Sequence, residues 1–137
     1  MEFEHTVDAK GRFNWPTKLR ERFGDKFHIT KSIYDTCLVV YNEEGWNKLE
    51  NTLSELPMEQ EMPLRRYLMG CSCDAEPDKQ GRIAISAKLR AFAGIETDIV
   101  VVDGGSKVEI WDAAQWNGYN DSITQGEIMK LAKKIKL

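Results

Sequence analysis

Cysteine and histidine are scarce in this 137-residue chain, which holds only Cys37, Cys71 and Cys73 of the one and His5 and His28 of the other. An odd number of thiols argues against a disulfide framework and fits a reducing compartment. Cys71-Ser72-Cys73 lacks the four ligands and the wider spacing of structural zinc, so the cysteines are expected in the core, with strand alternation placing Cys71 and Cys73 on one face. Neither histidine stands beside a recognisable nucleophile, no Ser or Cys sits on an elbow motif, and there is no phosphate loop or dinucleotide fingerprint. No catalytic residue, metal or cofactor is therefore expected. The chain also lacks any run of about 18 apolar residues and any charged-then-apolar amino terminus, so no membrane partner is expected and a cytoplasmic location is. With 42% hydrophobic residues it has material for one ordinary core.

What the chain does have is a duplication. Asp8 to Gly24 matches Asp78 to Gly94 without a gap when 70 is added to each number, aligning Asp8 with Asp78, Gly11 with Gly81, Arg12 with Arg82, Lys18 with Lys88, Leu19 with Leu89 and Arg20 with Arg90. The same offset carries Cys37-Leu-Val-Val-Tyr41 onto Lys107-Val-Glu-Ile-Trp111, and Trp46 onto Trp116. Two copies are too few for a solenoid and suit an internal pseudo-dimer. Alone, each would be roughly 60 residues, a size at which buried surface barely offsets chain entropy, so one shared core is expected.

The net charge of -3 speaks at first against a polyanionic partner. Its distribution reverses that impression. In the first copy Lys10, Arg12, Lys18, Arg20 and Arg22 face Asp8 and Glu21, and in the second Lys79, Arg82, Lys88 and Arg90 face Asp78, so each copy carries +3 and the remainder of the chain -9. Solvated charge on short helices would account for part of this.

Periodicity orders the elements. Glu2 to Val7 alternates as a half-buried strand, Asp8 to Gly11 turns the chain, and Arg12 to Trp15 begins a second strand. Pro16 suits the first helical position of a short helix, Thr17 to Phe23, with Leu19 and Phe23 inward and Gly24 closing it; Ser86 replaces Pro16 as an N-cap in the second copy. Strands follow at Lys26 to Lys31 and Cys37 to Tyr41, matched by Asp98 to Asp103 and Lys107 to Trp111 around a Gly104-Gly-Ser106 hairpin. Asn42 caps a helix with Trp46, Leu49, Leu53 and Leu56 on one face, and Asp112 with Gln115 resembles a capping box. A linking helix is expected from about Glu61 to Met69, with Leu64, Tyr67 and Leu68 inward and Arg65 and Arg66 outward. Thr124 and Glu127 box a final helix bearing Ile128, Leu131 and Ile135 opposite Lys130, Lys133, Lys134 and Lys136, a packing surface, a subunit contact or a basic arm. The divisions expected are 1-56 for the first repeat with its closing helix, 57-70 for the linker, 71-123 for the second repeat and 124-137 for the terminal helix.

Arginines raised on turns beside strands can hold phosphates and reach base edges, because a planar guanidinium grips guanine bidentately. The paired Asp-x-Lys-Gly-Arg and Asp-x-x-Gly-Arg motifs, each followed by Lys-Leu-Arg, with Cys37-Leu-Val-Val-Tyr41...Trp46 and Val108-Glu-Ile-Trp111...Trp116, resemble the MraZ family of bacterial transcriptional regulators over nearly the whole chain. That resemblance implies an α+β fold, an AbrB-like swapped-hairpin β-barrel formed by two internal repeats of one chain and decorated by helices. It implies ring-shaped homo-oligomers, octameric or dodecameric, binding short direct repeats in double-stranded DNA and repressing the division and cell wall gene cluster, in the cytoplasm and associated with the nucleoid. The family's DNA contacts fall on Arg12, Lys10 and, by the repeat, Arg82. Lys18, Arg20, Lys88 and Arg90 join them from the charge pattern, with Asp8, Gly11, Asp78 and Gly81 shaping the turns. Gln80 stands in place of a second motif lysine, which favours the first copy as the stronger binder. A ring-forming protein-interaction scaffold without DNA specificity is the alternative, and RNA binding would need exposed stacking aromatics, for which Trp15 is the one candidate.

Overall fold

Four of the six strand pairings in the computed structural model, which describes Met1–Leu137, join one repeat to the other. The first repeat supplies β1 (Glu2–Thr6), β2 (Arg12–Asn14), α1 (Thr17–Phe23), β3 (Phe27–Lys31), β4 (Leu38–Asn42) and α2 (Glu43–Ser54). After α3 (Met58–Leu68), the second supplies β5 (Cys73–Ala75), β6 (Arg82–Ala84), α4 (Ala87–Ala93), β7 (Asp98–Asp103), β8 (Val108–Asp112) and α5 (Ala113–Ser122). The chain ends in α6 (Gln125–Ala132) and a 3-10 turn, Lys133–Ile135.

Six strands form an antiparallel sheet in the order β1-β7-β8-β4-β3-β5, and β2 pairs with β6 as a separate ribbon. Exchanging each strand for its repeat equivalent leaves that order unchanged, so a pseudo-twofold passes between β4 and β8. The class is the α+β expected, built from two repeats that swap strands. Backbone pairing does not close the sheet, however: β1 and β5 remain edges. Both edges are blunted, β5 by its three residues and β1 by the charges of Glu2 and Glu4.

Neither repeat owns the core. Phe13, Leu19, Phe27, Ile29 and Leu38 of the first pack in one cluster with Ile83, Ile85, Leu89, Ile99, Val101, Val108 and Ile110 of the second. Each such side chain contributes roughly 1.5–3 kcal/mol when fully buried, and half the set would not hold a fold. Trp15 lies in this cluster, its ring tilted against Phe27 at 4.8 Å between centroids, so it offers no platform for a base.

Four expectations need correcting. The linking helix begins at Met58, not near Glu61, because Pro57 supplies the pre-set φ of an entry residue and Met58 can follow it into the helix. Arg65 turns inward: its guanidinium meets Glu61 at 2.9 Å and Ser54 Oγ at 3.2 Å, tying α3 to α2. Cys71 lies in the turn ahead of β5 and so does not share a strand face with Cys73, although both pack partly buried against the core. The Gln115 side chain does not reach back to close a capping box but accepts a 2.9 Å hydrogen bond from Thr36 Oγ1 in the other repeat, while Asp112 alone caps α5. Asn42, Ser86 and Thr124 cap their helices as expected. No helix is long and apolar enough to cross a membrane.

Candidate nucleic-acid interface

Each Asp-x-x-Gly-Arg segment is a self-tied turn. Asp8 Oδ1 accepts the backbone N–H groups of Lys10 and Arg12, both at 2.9 Å, and its Oδ2 accepts Arg12 Nε at 2.7 Å. The second copy repeats the pattern: Asp78 accepts from Gln80 N and Arg82 N at 2.9 Å and from Arg82 Nε at 3.1 Å. Gly11 and Gly81 sit at φ +78° and +77°, which a residue with a Cβ enters only at a cost. The arginine N–H beneath Asp8, then its guanidinium and the Lys10 N–H, hold the Asp8 carboxyl down at about 2. The N–H groups of Arg82 and Gln80 lower Asp78 likewise. Asp8 and Asp78 therefore stay anionic and keep both arginines aligned.

The ribbon decides where those arginines point. In β2–β6, Arg12 lies opposite Ala84, Phe13 opposite Ile83 and Asn14 opposite Arg82. Phe13 and Ile83 face the core, so strand alternation sends Arg12, Asn14, Arg82 and Ala84 together to the outer face. There Arg82 Nη1 comes within 4.0 Å of Asp8 Oδ2, bringing the two motifs into contact. Each Nε is occupied by its own aspartate, and the Nη atoms of Arg12 have no partner in the chain. Main-chain bonds lock the turns across the pseudo-twofold: Trp15 N–H donates to Gly81 O at 3.0 Å and Ile85 N–H to Gly11 O at 2.9 Å.

The remaining cations divide. Lys10, Lys18 and Lys88 are exposed and carry no ion pair. Arg20 pairs with Asp25 at 3.0 Å. Arg90, its counterpart, has Ile95 at the equivalent position and instead donates from Nε to Ile85 O at 3.2 Å, directly beneath Gly11. It braces the first turn from below and is half-buried. Arg20 gives the second turn no such support, so the copies are unequal in packing as well as in sequence. Asn14, which sequence reasoning passed over, shares the outer face; counting two residues on from Arg12 along a strand would have found it.

A family described as "MraZ protein, putative antitoxin-like" matches residues 1–64 and 72–136, the two repeats in turn. A protein of Acetivibrio thermocellus named transcriptional regulator MraZ is 40% identical over 121 residues, covering 87% of this chain and 84% of that one. Proteins of the same name from Alkaliphilus oremlandii and Clostridium botulinum are 39% identical over 131 residues and 42% identical over 123, covering 93% and 88% of this chain and 91% and 86% of theirs.

Proposed function

Because the chain belongs to the MraZ family, we propose that it is a DNA-binding transcriptional regulator that reads double-stranded DNA through the outer face of the β2–β6 ribbon. The observation that carries this reading is the shared direction of Arg12 and Arg82, two guanidiniums pre-aligned by aspartates on one solvent-facing surface. An arginine held by its Nε keeps its Nη fork available for guanine O6 and N7, and a pre-set side chain loses less freedom on binding. Asn14 beside them has the donor and acceptor that suit adenine. Lys10, Lys18 and Lys88 meet phosphates and set register, and Arg20 can join them by leaving its exposed pair with Asp25. Arg90 serves the first turn from beneath. Tandem direct repeats fit a ring of subunits, because many weak modules on one rigid body bind repeated sites far more tightly than one site. Repression of the division and cell wall gene cluster, by a nucleoid-associated octamer or dodecamer, completes the proposal. Residues 1-56, 57-70, 71-123 and 124-137 are its working divisions.

The test is a mobility-shift titration on duplexes selected from random DNA. Arg12→Ala should abolish specific binding while the far-ultraviolet spectrum is unchanged, and log K for the wild type should fall by roughly 0.9 per phosphate contact for each log unit of salt. Unaltered affinity in a folded Arg12→Ala protein, or a flat salt response, refutes the assignment.

A further inference from the structure

The terminal helix α6 leaves much of its apolar face in solvent. Ile128, Met129 and Leu131 are 45%, 59% and 57% exposed, Ile135 in the turn that follows is 73% exposed, and that turn is the one element against which α6 packs appreciably. Isolated helices shorter than about 12–15 residues are marginal in water, so an amphipathic one of eight residues is completed by whatever covers its apolar stripe. Lys130, Lys133, Lys134 and Lys136 find no carboxylate in the chain.

A groove of matching character lies elsewhere on the molecule. Between β1, β7 and the start of α5 is a cavity of about 570 Å³ whose walls include Glu2, Glu4, Asp98, Ala113 and Trp116. No Lys or Arg lines it, and burial lowers the pKa of its one histidine, His5, favouring the neutral ring. Glu2 accepts the indole N–H of Trp116 at 2.9 Å, which fixes the ring at the groove wall. Glu4 and Asp98 have no side-chain partner among the chain's ion pairs or hydrogen bonds to cations.

We propose that α6 of one copy docks into this groove on a second copy, with Ile128 and Leu131 against Trp116 and the lysines on Glu4 and Asp98. The inference rests on the assembly part of the functional reading above and names the contact that would build it. The groove is not filled from within the same chain: α6 leaves α5 after only Ile123 and Thr124. That step is pinned on both sides, by Ile123 N–H on Asn120 O at 3.3 Å and by Thr124 Oγ1 accepting Glu127 N–H at 3.1 Å. Because helix and groove are different surfaces, the contact is head-to-tail, and repetition closes a ring when the rotation permits.

Light-scattering mass measurement on the full chain tests this. The wild type should run at a multiple of 15.7 kDa. Leu131→Asp, at an exposed position, should drop it to the single-chain mass. Glu4→Lys with Asp98→Lys should do the same, and adding Lys133→Glu with Lys134→Glu to that variant should restore the assembly. If the groove variant fails to fold, Lys133→Glu with Lys134→Glu alone must lower the mass. Full mass in a folded Leu131→Asp protein, or no recovery on charge exchange, overturns this contact and leaves the ring intact. A wild type at single-chain mass at all concentrations overturns assembly itself.

Discussion

Gly11→Ala and Gly81→Ala should differ in stability although the two glycines share one backbone conformation, φ +78° and +77°. At either position a Cβ in the left-handed region costs roughly 1–2 kcal/mol. For Gly81 that is the whole effect, since a methyl there meets nothing within 4 Å. At Gly11 the methyl would stand 2.4 Å from Ile85 O and 2.7 Å from Arg90 Nε. Ile85 cannot retreat freely, because its N–H is bonded to Gly11 O at 2.9 Å and its carbonyl accepts from Arg90 at 3.2 Å. Relieving the clash gives up one neutral hydrogen bond, about 1 kcal/mol, and one to a charged donor, about 1.5–3 kcal/mol. Gly11→Ala should therefore destabilise by about 3.5–6 kcal/mol against about 1–2 for Gly81→Ala. With a urea m-value on the order of 2 kcal/mol/M, the midpoints separate by about 1.3–2 M at matched protein concentration. The Gly11→Ala, Arg90→Ala double variant should be less destabilised than the sum of its parts. Coincident midpoints for the two glycine variants would show that Arg90 does not brace the first turn.

Acid should weaken the fold through Asp8, Asp78 and Asp103. Their folded values lie below the ordinary carboxylate range, that of Asp8 at about 2 under the Arg12 N–H, that of Asp78 under the Arg82 N–H, and that of Asp103 under the Arg22 guanidinium. Their contribution is thus present above pH about 4 and lost as the pH falls below it, for Asp8 toward about 2, which denaturant midpoints measured against pH will show and Asp8→Asn will blunt. Ser86→Ala removes the cap on Leu89 N–H and should cost about 1 kcal/mol in a chemical melt. Cys37, fully buried and pushed up to about 12 by burial and the nearby Glu109 carboxylate, should resist iodoacetamide at pH 8 in the native state while partly exposed Cys71 reacts, as peptide mass mapping would reveal.

Much of the fold was legible because its signals are local. Turn chemistry placed the Asp-x-x-Gly-Arg segments, alternation placed the strands, and Asn42, Ser86 and Thr124 announced their helices. Arg65 was misplaced because outward spacing on one helix says nothing about a second helix, α2, lying alongside to receive the charge. The start of α3 was read late because Pro57 reads as a break ahead of the helix, whereas it stands at the helix's N-terminal cap, and Pro63 is carried inside. Arg90 looked like a twin of Arg20. The difference between Asp25 and Ile95 was in the sequence, but its consequence was not, because the carbonyl that Arg90 seeks belongs to a turn ordered by the other repeat.

By itself the sequence determined the duplication, the two aspartate-tied turns, the concentration of positive charge on them and the family to which the chain belongs, since each depends on residues near one another or on a fixed offset. Only the tertiary structure decided that Arg12 and Arg82 share one face, that their turns are unequally braced and that α6 stands uncovered. Those facts depend on which strand crosses to pair with which, and that is settled by the burial of Phe13 and Ile83 in a single core that neither repeat could close alone.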